Sequence, residues 1–227
     1  MCFYLYTSEL SSGKAFNIMS YILHFNVRNV SFMVSNQKAN MSTLEKLNTT
    51  LENGGASTEE ALRFFDELES VNLEFMIGRW QGYEFPTNHP MDGLLKASGW
   101  YGKEFVDAEQ VHPLLFSDGN NSIFKVYPSP IAINLGPGLL ALKSHVMKPI
   151  FTLMNLMLKT EKSQARIRMM EYREKVSTTM IYDNLPINDI FRKIDDNTVL
   201  GLMDFKGMPQ PFFFVLNRDM IRDKVQQ

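Results

Sequence analysis

Apolar and polar positions change rhythm twice along this chain. Between residues 41 and 70 the apolar positions recur at helical spacing; from Val71 onward they fall in short runs separated by turn residues. Residues 1–40 follow neither rhythm, being rich in aromatics, Ser and Asn and poor in charge. They are expected to be an extension, poorly ordered or the product of start-site choice, with a further strand over 25–34 as the alternative. The packed domain is expected to run as one unit over 41–227.

The helical part begins with a short helix over 42–51, which Asn53-Gly54-Gly55 stops. Ser57-Thr-Glu-Glu60 then has the form of a capping box, in which the Ser57 and Glu60 side chains satisfy each other's exposed amides. Leu62, Phe65 and Leu68 follow at helical spacing. The pattern predicts a helix over 58–69 with one apolar side, lying on the body of the domain or plugging its end.

Strand-length runs cover 75–85, 99–106, 111–116, 122–127 and 131–134, then 165–173, 176–182, 187–194, 198–204 and 211–218. Between the two groups, 139–159 reads as helical with a break near Pro149. Glu174-Lys175, Asp183-Asn-Leu-Pro186, Asp195-Asp-Asn197 and Lys206-Gly207 supply the turn chemistry of the later joints. About ten short strands with tight joints form a meander, and a meander loses its exposed edges by closing on itself. No long helices alternate with the strands, which argues against a parallel α/β sheet. The expected fold is mainly β: a closed antiparallel up-and-down β-barrel of about ten strands, with an N-terminal helix and a mid-chain helical lid.

The sharpest local signal is Gly78-Arg-Trp-Gln-Gly82. On a strand Gly78, Trp80 and Gly82 share a face, and the glycines leave room for an indole against the backbone and for a sharp bend. A looser echo, Gly99-Trp-Tyr-Gly102, reads as a neighbouring strand with similar bending demands. In the last strand Phe212, Phe214, Leu216 and Arg218 share one face. The pattern resembles lipocalin-like barrels, whose first-strand Gly-x-Trp packs against an arginine near the end of the last strand. The resemblance implies that Arg218 stacks over Trp80, with Gly78 and Gly82 helping to close the barrel. More of the chain resembles a specific family. The block from Phe75 to Phe85, with Met91-Asp-Gly-Leu-Leu95 and Gly99-Trp-Tyr-Gly102, is similar to the family named for its GXWXG motif. Thr179-Met-Ile-Tyr-Asp183, Pro186-Ile-Asn-Asp189, Phe191-Arg-Lys193 and Gly201-Leu-Met-Asp204 resemble the domain of unknown function that accompanies it. Together these cover roughly 60–218. That resemblance implies no established activity.

Composition narrows the partners. With 23 basic against 25 acidic residues the net charge is -2, which gives no electrostatic reason to expect nucleic acid. Cys2 is the single cysteine, so no intrachain disulfide forms and a four-cysteine zinc site is excluded. The richest apolar stretches, 15–27 and 139–158, are too short or too interrupted to span a membrane, and the first lacks a signal peptide's basic start. A cytoplasmic protein is the expectation. Fifteen methionines suit either core filling or a pocket for an irregular apolar guest.

The expected function is binding of a hydrophobic or amphipathic small molecule inside the barrel, lined by Trp100, Tyr101, Met169, Met180 and Phe191. No cofactor is expected. The alternative is an enzyme of the same fold that cyclises, isomerises or modifies such a molecule, with Asp189, Tyr182 and Lys193 as polar participants. Asp189 sits inside a strand rather than at its end, which separates it from Asp183 and Asp204. A third reading is a solidly packed interaction protein, and the apolar mid-chain helix could instead mediate a homodimer. A minor alternative comes from another small ten-stranded barrel family, which opens with a similar strand and holds haem through histidine. It would use His145 or His112; His89 lies in an expected loop. No phosphate-cradling loop, Gly-x-Ser-x-Gly elbow or His-Glu-x-x-His sequence occurs.

Overall fold

The computed structural model of the chain describes residues 42–117, 122–130 and 144–220. Its contacts divide the chain into Met1–Glu45 and Lys46–Gln227, and nearly everything described belongs to the second unit. The expectations for 1–40 and for a strand over 131–134 lie outside the described residues.

Helix α1 covers residues 42–52 and α2 covers Thr58–Glu67. The capping box is formed: Glu60 N–H donates to the Ser57 hydroxyl, and Ser57 N–H donates to the Glu60 carboxylate at 2.9 Å. Strand β1 (Glu69–Ser70) and a single helical turn α3 (Leu73–Met76), capped by the Asn72 side chain, come before β2 (Gly78–Glu84). Residues 75–77, expected in the strand, therefore lie on the turn that leads into it. Helix α4 (Leu94–Ser98) follows, then β3 (Trp100–Phe105), β4 (Val111–Ser117) and β5 (Ile123–Lys125). Helix α5 (Ser144–Met157) runs through Pro149 without the expected break. The remaining strands are β6 (Ala165–Tyr172), β7 (Lys175–Tyr182), β8 (Ile187–Asp195), β9 (Thr198–Phe205) and β10 (Phe212–Arg218).

All pairings are antiparallel and belong to one sheet of ten strands. Its order is β1-β8-β7-β6-β4-β3-β2-β10-β9, and β9 also pairs with β8. Eight strands thus follow one another in a ring of pairings, with β1 added at β8 and β5 at β4. The last strand meets the first long one over a register from Phe214↔Glu84 to Arg218↔Trp80.

Alternation explains the continuous apolar run in β10. Phe212, Phe214 and Leu216 join the main core cluster with Trp80, Trp100, Phe105 and Phe191. Phe213 and Val215 point the other way and are equally buried. The Phe65 ring of α2 meets Phe213 edge-on at 6.2 Å. Helix α2 therefore lies on the outer face of the sheet. A strand apolar on both faces is what such double covering demands.

At one end of the ring, α3 caps the core. Trp80 is fully buried and its Nε1–H donates to Met76 O at 2.8 Å. The Arg218 guanidinium lies 4.3 Å from the Trp80 ring centroid and donates to Phe75 O and Ile77 O at 2.7 and 3.0 Å. A charged, delocalised donor is thereby stacked and hydrogen-bonded at once, and it fastens α3 to the end of β10.

Candidate functional site

Two glycines shape the opposite half of the interior. A Cβ on Gly82 would lie 2.2 Å from the Trp100 ring, so Gly82 makes room for the indole of the next strand and not for Trp80. Gly102 has φ +153°, and a Cβ there would lie 1.9 Å from Trp80 O. The β3–β4 register shifts on both sides of Gly102. Regular alternation from Trp100 would turn Glu104 inward; the irregularity instead brings Lys103 and Phe105 to the inside with Trp100. Glu104 is left outside, where it pairs with Arg79 and Lys125.

Lys103 then reaches across the interior. Its Nζ lies 2.8 Å from Asp189 Oδ2, with the two side chains 4% and 1% exposed. Strands β3 and β8 are separated by three strands in either direction around the ring of pairings. The same Nζ donates to Pro113 O at 3.2 Å and to the Tyr182 hydroxyl at 3.4 Å. Trp100, Tyr182 and Phe214 present their rings to it at 5.5, 5.7 and 4.9 Å. Burial pushes the Asp189 carboxyl above its ordinary range, with Lys103 pulling it back. Burial, with the Asp189 charge beside it, pushes the Tyr182 phenol well up, so Tyr182 keeps its proton.

Above this cluster lies a cavity of about 120 Å³. Trp100, Lys103, Tyr182 and Asp189 line one side of it, and Leu114, Phe116, Ile187, Met203, Phe212 and Phe214 form apolar walls. Helices α4 and α5 cover it with Leu94, Leu95, Phe151 and Met154, joined by Leu158 just after α5. The two helices are tied by Asn155, whose amide donates to Ser98 O at 3.1 Å. Glu84 positions α4 by accepting from the backbone N–H groups of Gly93 and Leu95 at 2.9 and 2.6 Å. Two buried polar atoms of the lining have no hydrogen-bond partner among the described residues: Asp189 Oδ1 and Trp100 Nε1.

The candidates named from the sequence divide between this cavity and elsewhere. Trp100, Tyr182 and Asp189 line it together. Tyr101 faces away and donates to Asp219 at 2.8 Å. Met180 and Phe191 are buried in the core below, outside the lining. Met169 is 43% exposed, because the β6–β7 hairpin carries it beyond the covered part of the sheet. Lys193 pairs with Asp196 at 2.6 Å and lies over Phe75, toward the capped end. Arg192 is fully buried and ties β8 to Ser70, Tyr172 O and Lys175 O, so its work is structural. His89 accepts from Met91 N–H and has Gln210 O at 3.2 Å from its other ring nitrogen, so both ring nitrogens are engaged. His112 is buried beside Glu104, Lys125 and Glu161, outside the cavity lining, and burial holds its pKa down. Among the described side chains no cluster of His, Cys, Asp and Glu could hold a metal ion.

Comparison with known proteins follows the same division of the chain. A family model described as GXWXG protein matches residues 63–120, and one described as a domain of unknown function (DUF4334) matches 163–218. The crystal structure of a protein from Thermomonospora curvata is similar, with 30% identity, covering 78% of this chain and 99% of that one at a TM-score of 0.57. The chain belongs to the GXWXG family. A search of curated proteins gave no match. In this member of the GXWXG family, Trp100 and Lys103 come from the GXWXG segment, and Tyr182 and Asp189 from the companion segment. The polar cluster is thus assembled from both. No described helix is long and apolar enough to cross a membrane.

Proposed function

We propose that the sheet is a closed, lipocalin-like β-barrel and that it binds a small, largely apolar molecule in the cavity beneath α4 and α5. The ring of eight pairings supports the closed form, as do interior side chains that meet from strands on opposite sides of that ring. The observation that carries the binding reading is the cavity itself, whose walls are mostly apolar, with one buried polar cluster and, on the covering side, Ser98, Tyr127, Ser129 and Asn155. That combination of an apolar container with a few convergent polar groups is the usual form of a small-molecule site. A cavity of this volume is close to the roughly 150 Å³ apolar cavity that accepts benzene in an engineered protein. The guest is therefore of single-ring size unless the covering helices shift.

Native mass spectrometry of gently purified protein, together with a titration of intrinsic tryptophan fluorescence by toluene, tests the proposal. A saturable response that is lost on filling the cavity with Ile187→Phe is expected. A bare protein mass with no saturable response would overturn it.

A second reading has one specific observation in its favour. Asp189 is a buried carboxylate with a raised pKa, held beside Tyr182 and Lys103 at the cavity wall. Such a group can serve as a general base toward a bound molecule. Turnover of a captured guest, abolished by Asp189→Asn, would establish that reading; unchanged guest in both proteins would end it.

A further inference from the structure

The chemistry of the guest can be narrowed from the open hydrogen-bonding positions of the polar cluster. This step rests on the cavity being a binding site. An ammonium group has three N–H donors. Those of Lys103 are directed to Asp189 Oδ2, Pro113 O and the Tyr182 hydroxyl, and aromatic rings pack around the same nitrogen. Lys103 therefore has no donor left for a ligand carboxylate. The Tyr182 hydroxyl keeps its proton and is hydrogen-bonded to the Asp189 carboxylate. Of the cluster's buried atoms, what the protein leaves open is one charged acceptor, Asp189 Oδ1, and one neutral donor, Trp100 Nε1. Both belong to side chains more than nine-tenths buried, and both residues line the cavity. A buried acceptor and a buried donor without protein partners cost free energy until a guest, or water in its place, completes them.

We infer that the cavity selects a neutral single-ring guest bearing a hydroxyl, an alcohol or phenol, over a hydrocarbon or a carboxylate of the same size. A hydroxyl is both donor and acceptor. It gives its proton to Asp189 Oδ1 and is able to accept from Trp100 Nε1. A hydrocarbon leaves both groups unmet. A carboxylate brings a second negative charge to Asp189, finds no free ammonium donor, and has no proton to give.

Phenol, toluene and benzoate form a test set, since the first two have nearly the same shape. Binding is measured at pH 7 by titration calorimetry on the full chain. Phenol is expected to bind at least about tenfold more tightly than toluene, as one hydrogen bond to a charged group allows, and benzoate not measurably. Asp189→Asn removes the charge and releases Lys103 from its ion pair; in that variant benzoate binding is expected to appear and the preference for phenol over toluene to shrink. Equal binding of phenol and toluene by the unaltered protein would overturn the inference while leaving the cavity reading intact. Tightest binding of benzoate would overturn it in favour of an anion site. Binding of none of the three would overturn the cavity reading, and the inference with it. The comparison on the unaltered protein decides the matter even where the variant fails to fold.

Discussion

Removing one member of a buried ion pair leaves the other charge without compensation, whereas replacing both by apolar groups does not. Lys103 and Asp189 are such a pair, 2.8 Å apart and almost inaccessible. Lys103→Met alone is expected to destabilise the fold by about 3–5 kcal/mol, and Lys103→Met combined with Asp189→Leu to recover most of that loss. Urea unfolding of the three proteins measures it; a double variant no more stable than the single one would show that the pair holds the fold together. The raised pKa of Asp189 adds a pH signature. A carboxyl whose folded pKa lies above its unfolded value of about 3.9 contributes most stability below that value. The contribution declines as pH rises through the folded pKa and is level above it. The stability difference between the unaltered protein and Asp189→Asn should therefore fall across that acid window and then flatten. A difference that rose with pH would contradict the dominance of burial over the Lys103 charge.

At the scale of elements, the covering helices are held differently from the sheet. Helix α5 buries Phe151 and Asn155 but leaves Leu153, Leu156 and Met157 57–78% exposed, so its hold on the body is one-sided. Asn155→Ala removes the bond to Ser98 O and is expected to loosen α5 by about 1 kcal/mol. Amide exchange in α5 should quicken while that of β9 and β10 stays unchanged, and a bound guest should slow it again. Equal quickening throughout would mean that α5 opens only when the whole domain unfolds. These elements also show what the sequence made legible. The strands from β6 to β10 and the capped start of α2 stood out because each has a period or a turn signature of its own. Elements β1, α3 and α4 did not, having only two, four and five residues. Asp189 was legible because an aspartate inside an apolar strand needs a reason. Lys103 was not, because side-chain parity along β3 changes at Gly102 and sequence alternation cannot count through an irregularity. Gly102, lying between an inward Trp100 and an inward Phe105 of opposite parity, is the signal that could have found it. Met169 was misplaced for a related reason: alternation gives the face of a strand but not how far that face remains covered.

Across the whole molecule the ring of pairings is uneven, and the unevenness predicts where it opens. Strands β2 and β10 pair through five residue positions, and Arg218 fastens one end of that joint. Strands β4 and β6 pair among the described residues only through Val111↔Ala165. The link there is supplemented by Gln164 N–H donating to Val111 O at 3.0 Å and Ile167 N–H donating to Ala108 O at 2.9 Å. Ser163 reinforces it, its hydroxyl accepting from Val111 N–H at 3.1 Å. Leu114 and Phe116, farther along β4, line the cavity, so this weak joint lies on a strand that forms a wall of the guest site. Local opening follows the fewest hydrogen bonds and contacts. Hydrogen exchange should therefore be faster for Val111, Ala165 and their neighbours than for the amides shared by β2 and β10. Ser163→Ala leaves Val111 N–H without its partner and is expected to quicken exchange at the β4–β6 joint by about tenfold, the equivalent of about 1.4 kcal/mol, within the range for one unsatisfied buried donor. Guest binding should be weakened in that variant more than overall stability is. Faster exchange at β2–β10 than at β4–β6 would place the opening at the first-to-last joint instead, and the guest's route would then have to be sought beside Trp80 and Arg218.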